Sequence, residues 1–158
     1  MATETLSSPR RRLLSLGWLE LTALVLSVLG LVDSAYQTYT HYSGAGLLGC
    51  AANGDPCVVV QHSPESYVFG IPVAVLGVAF YLFMVAICSP WAWRSTRPAI
   101  RRVRLASAAI GIGFVLYLIY AEIIEIGRLC PYCTSVHVIT FLLFCLIAFQ
   151  AAVRDPAP

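Results

Sequence analysis

The residues best suited to chemistry are Cys130-Pro131-Tyr132-Cys133, placed at the mouth of an apolar run that continues to Val153. Two cysteines two residues apart can close a small, easily reduced disulfide, and a helix N-terminus beside them stabilises a thiolate. Pro131 suits the first helical position, because its missing N–H is one that a helix start leaves unpaired anyway. A second pair, Cys50 and Cys57, lies in a polar stretch, separated by a segment that contains Asn53-Gly54-Asp55-Pro56. That segment reads as a turn able to bring the two sulfurs within bonding reach. Val58-Val59-Val60 follows and suits a short segment seated in a membrane interface. The chemistry these pairs offer is thiol–disulfide exchange, in which a thiolate attacks a disulfide sulfur and electrons pass from pair to pair.

The elements that must position them are membrane helices. Of 158 residues, 59% are hydrophobic and 11% charged, with a mean hydropathy of +0.79. A soluble domain of this size could not solubilise so much apolar surface. Apolar runs cover 13–32, 66–93, 105–121 and 129–153, each long enough or nearly so to cross the hydrocarbon. The first helix is expected to extend past Asp33 to about Tyr39. The expected fold is therefore an all-α integral membrane protein, a four-transmembrane-helix bundle with an outward-facing cap loop between helices one and two. Its membrane domain is 13–153, with an outer loop at about 37–67, a cytoplasmic loop at about 90–104, and cytoplasmic tails 1–12 and 154–158.

All ten basic residues are arginine, and nine of them fall on one side of that arrangement; only Arg128 falls on the other. The positive-inside rule then places both termini in the cytoplasm. Trp91 and Trp93 fall at an expected interface, where indole rings prefer to sit. No cleavable signal is expected, since the first apolar run is too long and no small-residue cleavage site follows it. The basic clusters flank apolar spans and carry no interleaved aromatic platform, so nucleic acid is not an expected partner.

That orientation puts Cys50, Cys57, Cys130 and Cys133 on the outer, oxidising side, where disulfides form and persist. Cys88 and Cys145 fall within or at the inner end of spans and read as small buried hydrophobes. Four cysteines could also make a tetrahedral metal site, but the loose Cys50–Cys57 spacing and an oxidising compartment argue for no metal. The last cysteine pair needs an electron acceptor. The sequence has no Cys-x-x-Cys-His and no flavin or nicotinamide fingerprint, so a lipid-soluble quinone, menaquinone or ubiquinone, reached from inside the bundle is the simplest acceptor.

The order Gly30-Leu31-x-x-Ser34-x-Tyr36, Cys50 and Cys57, Ser63, Phe69-Gly70-Ile71-Pro72 and Cys130-Pro131-Tyr132-Cys133 resembles the vitamin K epoxide reductase family, most of all its bacterial members. The resemblance spans roughly Leu13 to Val153. It implies a four-helix bundle around a quinone, capped on its outer side by the loop. It implies that Cys133 attacks or charge-transfers to the quinone, that Cys130 exchanges with Cys57, and that Cys50 takes electrons from a thioredoxin-like partner. Ser63 would hold the loop or a quinone oxygen. Many bacterial relatives continue into a fused thioredoxin-like domain; with Pro158 as the last residue, the expected partner is a separate extracytoplasmic or periplasmic thiol oxidase. Cysteine order argues against the analogous bacterial oxidase family that carries its Cys-x-x-Cys in the first outer loop.

Other residues carry two readings each. His137, about 6 Å beyond Cys133 along the helix, is either a donor to a quinone oxygen or a helix-packing residue. Phe80, Tyr81 and Tyr117 either line a quinone cavity or pack helices. Ser63 on spacing alone is an ordinary loop residue. Asp33 is either functional within the membrane or a cap for the first span. Glu122 and Glu125 share a helical face and read as a solvated helix end rather than a proton relay. Gly111 and Gly113 read as close-packing positions.

The expected activity is a multi-pass thiol oxidoreductase of the inner (plasma) membrane that couples quinone reduction to disulfide formation in exported proteins. Its alternatives are a vitamin K quinone or epoxide reductase using the same cysteines, and a non-enzymatic metal-binding membrane scaffold.

Overall fold

The computed structural model describes residues 9–50, 56–95 and 97–154. Its longest element, α1 (Pro9–Ser43), is one helix of 35 residues, about 50 Å long. Nothing in its interior breaks it: the next proline after Pro9 is Pro56. It ends where Gly44 takes a left-handed φ of 68° and its N–H reaches back to Thr40 at 3.1 Å, so the helix runs beyond the expected end at Tyr39. Short elements follow: α2 (Pro56–Gln61), a 3-10 turn (Pro64–Ser66) and a two-stranded hairpin, β1 (Tyr67–Val68) with β2 (Ile71–Pro72). Then come α3 (Val73–Ile87), α4 (Pro90–Arg94), α5 (Pro98–Tyr120), a π-helical turn (Ala121–Ile126) and α6 (Pro131–Arg154). Prolines 56, 90, 98 and 131 each open a helix, where their fixed φ and absent N–H cost nothing.

Three helices are long and apolar enough to cross a membrane: Gly17–Ser43, Pro98–Ile126 and Pro131–Val153. The apolar run 66–93, expected as one crossing, is divided into the hairpin, α3 and α4. Its prolines explain the division. Pro72 precedes the first turn of α3, and Ser89-Pro90 starts α4, with the Ser89 hydroxyl accepting from the Ala92 N–H at 3.4 Å. That leaves α3 with 15 residues, about 22 Å. The hairpin, the one departure from an all-helical chain among the described residues, turns through Phe69 (φ 52°) and Gly70 (φ 79°). Left-handed φ at both central residues is what a tight two-residue hairpin requires.

Helix α1 packs along α3 and α6, and α5 packs on α6 and α3. Tyr81 ties three of them together. Its ring lies where a Cβ on Gly30 of α1 would stand 2.1 Å away, and its hydroxyl donates to the Val136 carbonyl at 3.1 Å and meets Thr140 Oγ1 at 2.8 Å on α6. Met84, Cys88, Ala108, Leu143 and Ile147 complete the core around it. Large apolar side chains such as Leu29, Ile110, Phe141 and Phe149 stay exposed around the bundle, the surface that lipid would cover. Cys145 joins this exposed face; it is not the buried residue expected, whereas Cys88 is. At the arginine-rich end, Trp93 is buried rather than interfacial: the Arg104 guanidinium stacks on its ring at 3.3 Å and donates from Nε to the Ile87 carbonyl at 2.9 Å. Trp91 is exposed.

Candidate redox site

Cys50 and Cys57 are joined as a disulfide, with Cα atoms 6.4 Å apart. Residues 51–55 between them, including the expected turn at Asn53-Gly54-Asp55, lie outside the described residues. Pro56 opens α2 and puts Cys57 in its first turn, facing inward. Cys57 is 1% and Cys130 0% exposed, and both belong to one apolar cluster with Leu47 and Val60, flanked by Cys50, Ile126 and Cys133. The two cysteine pairs thus meet in one water-excluded pocket at one end of the bundle.

Two tyrosines seat the loop there. The Tyr132 hydroxyl donates to the Leu48 carbonyl at 2.7 Å, and the Leu48 N–H donates to the Tyr36 hydroxyl at 3.0 Å. Their rings stand 5.8 Å apart. Both polar groups of one backbone residue are therefore held by side chains from α1 and α6. Tyr132 was legible as part of the cysteine motif, yet nothing in its spacing announced a loop clasp.

Cys130 and Cys133 are free thiols. Cys133 sits in the first turn of α6, and its N–H points at Cys130 Sγ, 3.5 Å away. The Cys130 thiol is held below the ordinary thiol range, chiefly by the hydrogen bond from the Cys133 thiol, against the opposing effect of burial. Cys130 is thereby the better nucleophile of the reduced pair. The Cys133 thiol also faces Gln37 Oε1 of α1 at 3.7 Å, and Gln37 Nε2 donates to Asp33 Oδ1 at 3.1 Å. The other oxygen of Asp33 accepts from the Ser135 hydroxyl of α6. Asp33 therefore clamps α1 to α6 beneath the cysteines rather than capping a span, and Gln37 is a site residue that spacing did not reveal.

Glu122 overturns its expected place at a solvated end. It is 4% exposed, and its carboxylate faces the Cys130 N–H and the Cys133 thiol. The buried face of α5 carries it there, since Ala108, Gly111 and Val115 lead in steps of three and four to position 122, and the π-helical winding that follows leaves Glu125, three residues on, exposed. The Glu122 carbonyl accepts from both Gly127 and Arg128, the latter at 3.0 Å, with Gly127 at φ 66° closing the turn.

Below Cys133 a cavity of about 300 Å³ opens between α1, α3, α5 and α6. Its walls are largely apolar, with Phe80, Leu76, Phe114, Val115 and Leu118 among them, and its polar lining includes Cys133, Glu122, Gln37, His137, Ser63 and Thr140. Ser63 sits just past α2, its hydroxyl donating to the Val60 carbonyl at 3.0 Å. Phe80 and Tyr81 meet edge to face at 5.2 Å. A Cβ on Gly111 would stand 2.7 Å from Phe80 Cζ, so this glycine leaves the ring its place on the wall. Tyr117 is not on the wall; it is half-exposed on the outer face of α5, and Phe114 and Leu118 hold the inward positions. Cys133, Ser63, Phe80 and His137 are thus brought together, and Tyr117 is not.

A largely apolar cavity with polar side chains among its lining suits a flat, weakly polar ring that carries hydrogen-bond acceptors, so these residues fit a quinone headgroup. Among the described residues no group of three His, Cys, Asp or Glu side chains is placed to hold a metal ion.

No curated protein sequence matches the chain. Residues 21–148 match the model of the vitamin K epoxide reductase family, which takes in α1 from its first membrane-embedded turns, both cysteine pairs and nearly all of α6. The chain belongs to the vitamin K epoxide reductase family.

Proposed function

We propose that this membrane thiol oxidoreductase couples quinone reduction to disulfide formation through Cys50–Cys57 and Cys130–Cys133. The observation that carries the reading is the shared pocket: Cys57 and Cys130 are buried in one cluster while Cys133 faces the cavity. A quinone supplies a two-electron, two-proton acceptor in that cavity. Once a partner's thiols have reduced the loop pair, Cys57 attacks Cys130 of the Cys130–Cys133 disulfide and Cys133 leaves; Cys50 then closes on Cys57 and releases Cys130, which with Cys133 gives its electrons to the acceptor. Cys133 closes the disulfide with Cys130 when the pair is oxidised. His137 and Ser63 orient the acceptor's oxygens, and Phe80 packs against its ring. Exclusion of water by the tyrosine-seated loop keeps reactive thiolates from side reactions.

In this reading α3, with the hairpin and α4 at its ends, provides the fourth crossing. The arginine-rich end faces the cytoplasm with both termini, and the cysteines face the extracytoplasmic side of the inner (plasma) membrane. There Cys50 meets a thioredoxin-fold thiol oxidase. The quinone is menaquinone or ubiquinone, and no metal takes part.

Purified protein given a reduced thioredoxin-fold partner and a quinone is expected to consume thiols stoichiometrically with quinone. The family's name favours one rival, reduction of vitamin K or its epoxide by the same cysteines. Epoxide turnover without any partner-thiol oxidation would establish that rival instead.

A further inference from the structure

The buried carboxylate beside the cysteines has no structural task that accounts for it. Glu122 lies within a membrane-spanning helix, where an ionisable side chain is costly to keep. No basic side chain pairs with it among the described residues, so charge compensation does not explain its burial. Its contacts are the Cys130 N–H and the Cys133 thiol. Its Oε2 is fully buried with no hydrogen-bond partner, although the residue lines the cavity. A buried, unpaired carboxylate oxygen costs free energy that a purely structural residue would be selected to avoid. The π-helical turn that holds it is itself a departure from α-helical winding, of a kind that recurs at functional sites.

We propose that Glu122 is a proton carrier for the step between Cys133 and the acceptor, taking the Cys133 thiol proton and releasing it to an acceptor oxygen in the cavity. This deepens the quinone-reduction reading and rests on it. One Glu122 oxygen receives the proton as the Cys133 S–H bond breaks, and the carboxyl then gives it up and returns to its ionised form. The two sulfurs lose two electrons as the Cys130–Cys133 disulfide forms, and the quinone gains them. Cys130, already a thiolate, has released its own proton to water before the step, and the second acceptor oxygen takes one back from water. Charge and protons balance, and Glu122 ends as it began.

The test uses the full chain in lipid nanodiscs, as wild type, Glu122→Gln and Glu122→Asp. Quinone reduction is followed with dithiothreitol and a short-chain menaquinone. Glu122→Gln is expected to lower kcat roughly a hundredfold, with KM for the quinone within about threefold of wild type. Glu122→Asp, which keeps the carboxylate, is expected to recover at least about a tenth of the wild-type rate. A second readout needs no turnover: the infrared difference between thiol and disulfide forms of the Cys130–Cys133 pair, without quinone, should contain a carboxylate band, shifted as the Cys133 S–H contact is lost, that Glu122→Gln removes. Intact Cys50–Cys57 linkage by mass spectrometry verifies the fold of each variant. If Glu122→Gln does not fold, the decision passes to Glu122→Asp: a rate of about a tenth of wild type or more supports the proposal, and a folded variant with kcat below about a hundredth of wild type overturns it. A folded Glu122→Gln with kcat within about threefold of wild type would also overturn it. A wild-type protein that reduces no quinone would instead remove the reading beneath it.

Discussion

The Tyr132 hydroxyl donates to the Leu48 carbonyl at 2.7 Å, across 84 residues of sequence. One residue of the Cys130–Cys133 motif therefore holds down the loop that carries Cys50. Tyr132→Phe keeps the ring packing against Tyr36 and removes only this bond, worth about 1 kcal/mol. The docked loop should be disfavoured by roughly fivefold, seen as faster hydrogen exchange at the Leu48 and Cys50 amides. Unchanged exchange there would show that the loop is held by other contacts.

The hydrogen bond from Cys133 is the chief reason that the Cys130 thiol ionises below the ordinary thiol range. Because its folded-state value is depressed, the thiolate contributes stability at high pH, and that contribution fades as pH falls through the lowered value. Cys133→Ala removes the donor. In a background lacking Cys50, Cys57, Cys88 and Cys145, so that Cys130 has no disulfide to attack, its thiolate absorbance should then titrate at higher pH than in the same background with Cys133 intact. A midpoint that stays put or falls would contradict this assignment.

Gly30 is open only because Tyr81 fills the space where its Cβ would stand, 2.1 Å from the ring. Gly30→Ala must push the ring away, loosening its bonds to Val136 and Thr140. Overpacking of this kind costs about 1–3 kcal/mol, read as a lowered thermal unfolding midpoint in detergent. A midpoint equal to wild type would mean that the ring relaxes without loss. Gly113, with open space around it, should accept alanine with far less effect.

The Gly111 site separates packing from binding. A Cβ there meets the Phe80 ring at 2.7 Å, on the cavity wall. Gly111→Ala is expected to raise KM for the quinone several-fold while leaving exchange between the two cysteine pairs intact. Equal loss of both activities would place the damage in the bundle rather than the cavity.

The four cysteines were legible because residue type and spacing encode thiol chemistry directly, and apolar runs encode membrane helices. The run 66–93 was legible as apolar, but a hydropathy average does not weigh the prolines at which it divides into a hairpin and two helices. Glu122 was illegible for a different reason. It stands seven residues beyond Val115 on the buried face of α5, but two carboxylates sharing a face near a helix end read as solvated, and only the π-helical winding before Gly127 separates it from Glu125. Tyr117 failed by a single step of helical rotation, which only the packing of α5 against α6 decides. Trp93 looked interfacial until Arg104 covered it, a contact between α4 and α5 that no local pattern carries. Asp33 and Gln37, four residues apart on α1, became part of the site only when α6 docked against them.

The central claim is that Cys130 and Cys57 exchange directly. In Cys133→Ala, with no second thiol to resolve the intermediate, Cys130 should attack Cys57 and release Cys50. Peptide mapping without reduction should then find a Cys57–Cys130 disulfide and a free Cys50 thiol. A Cys50–Cys57 bond left whole, with Cys130 free, after incubation under exchange conditions would contradict the account.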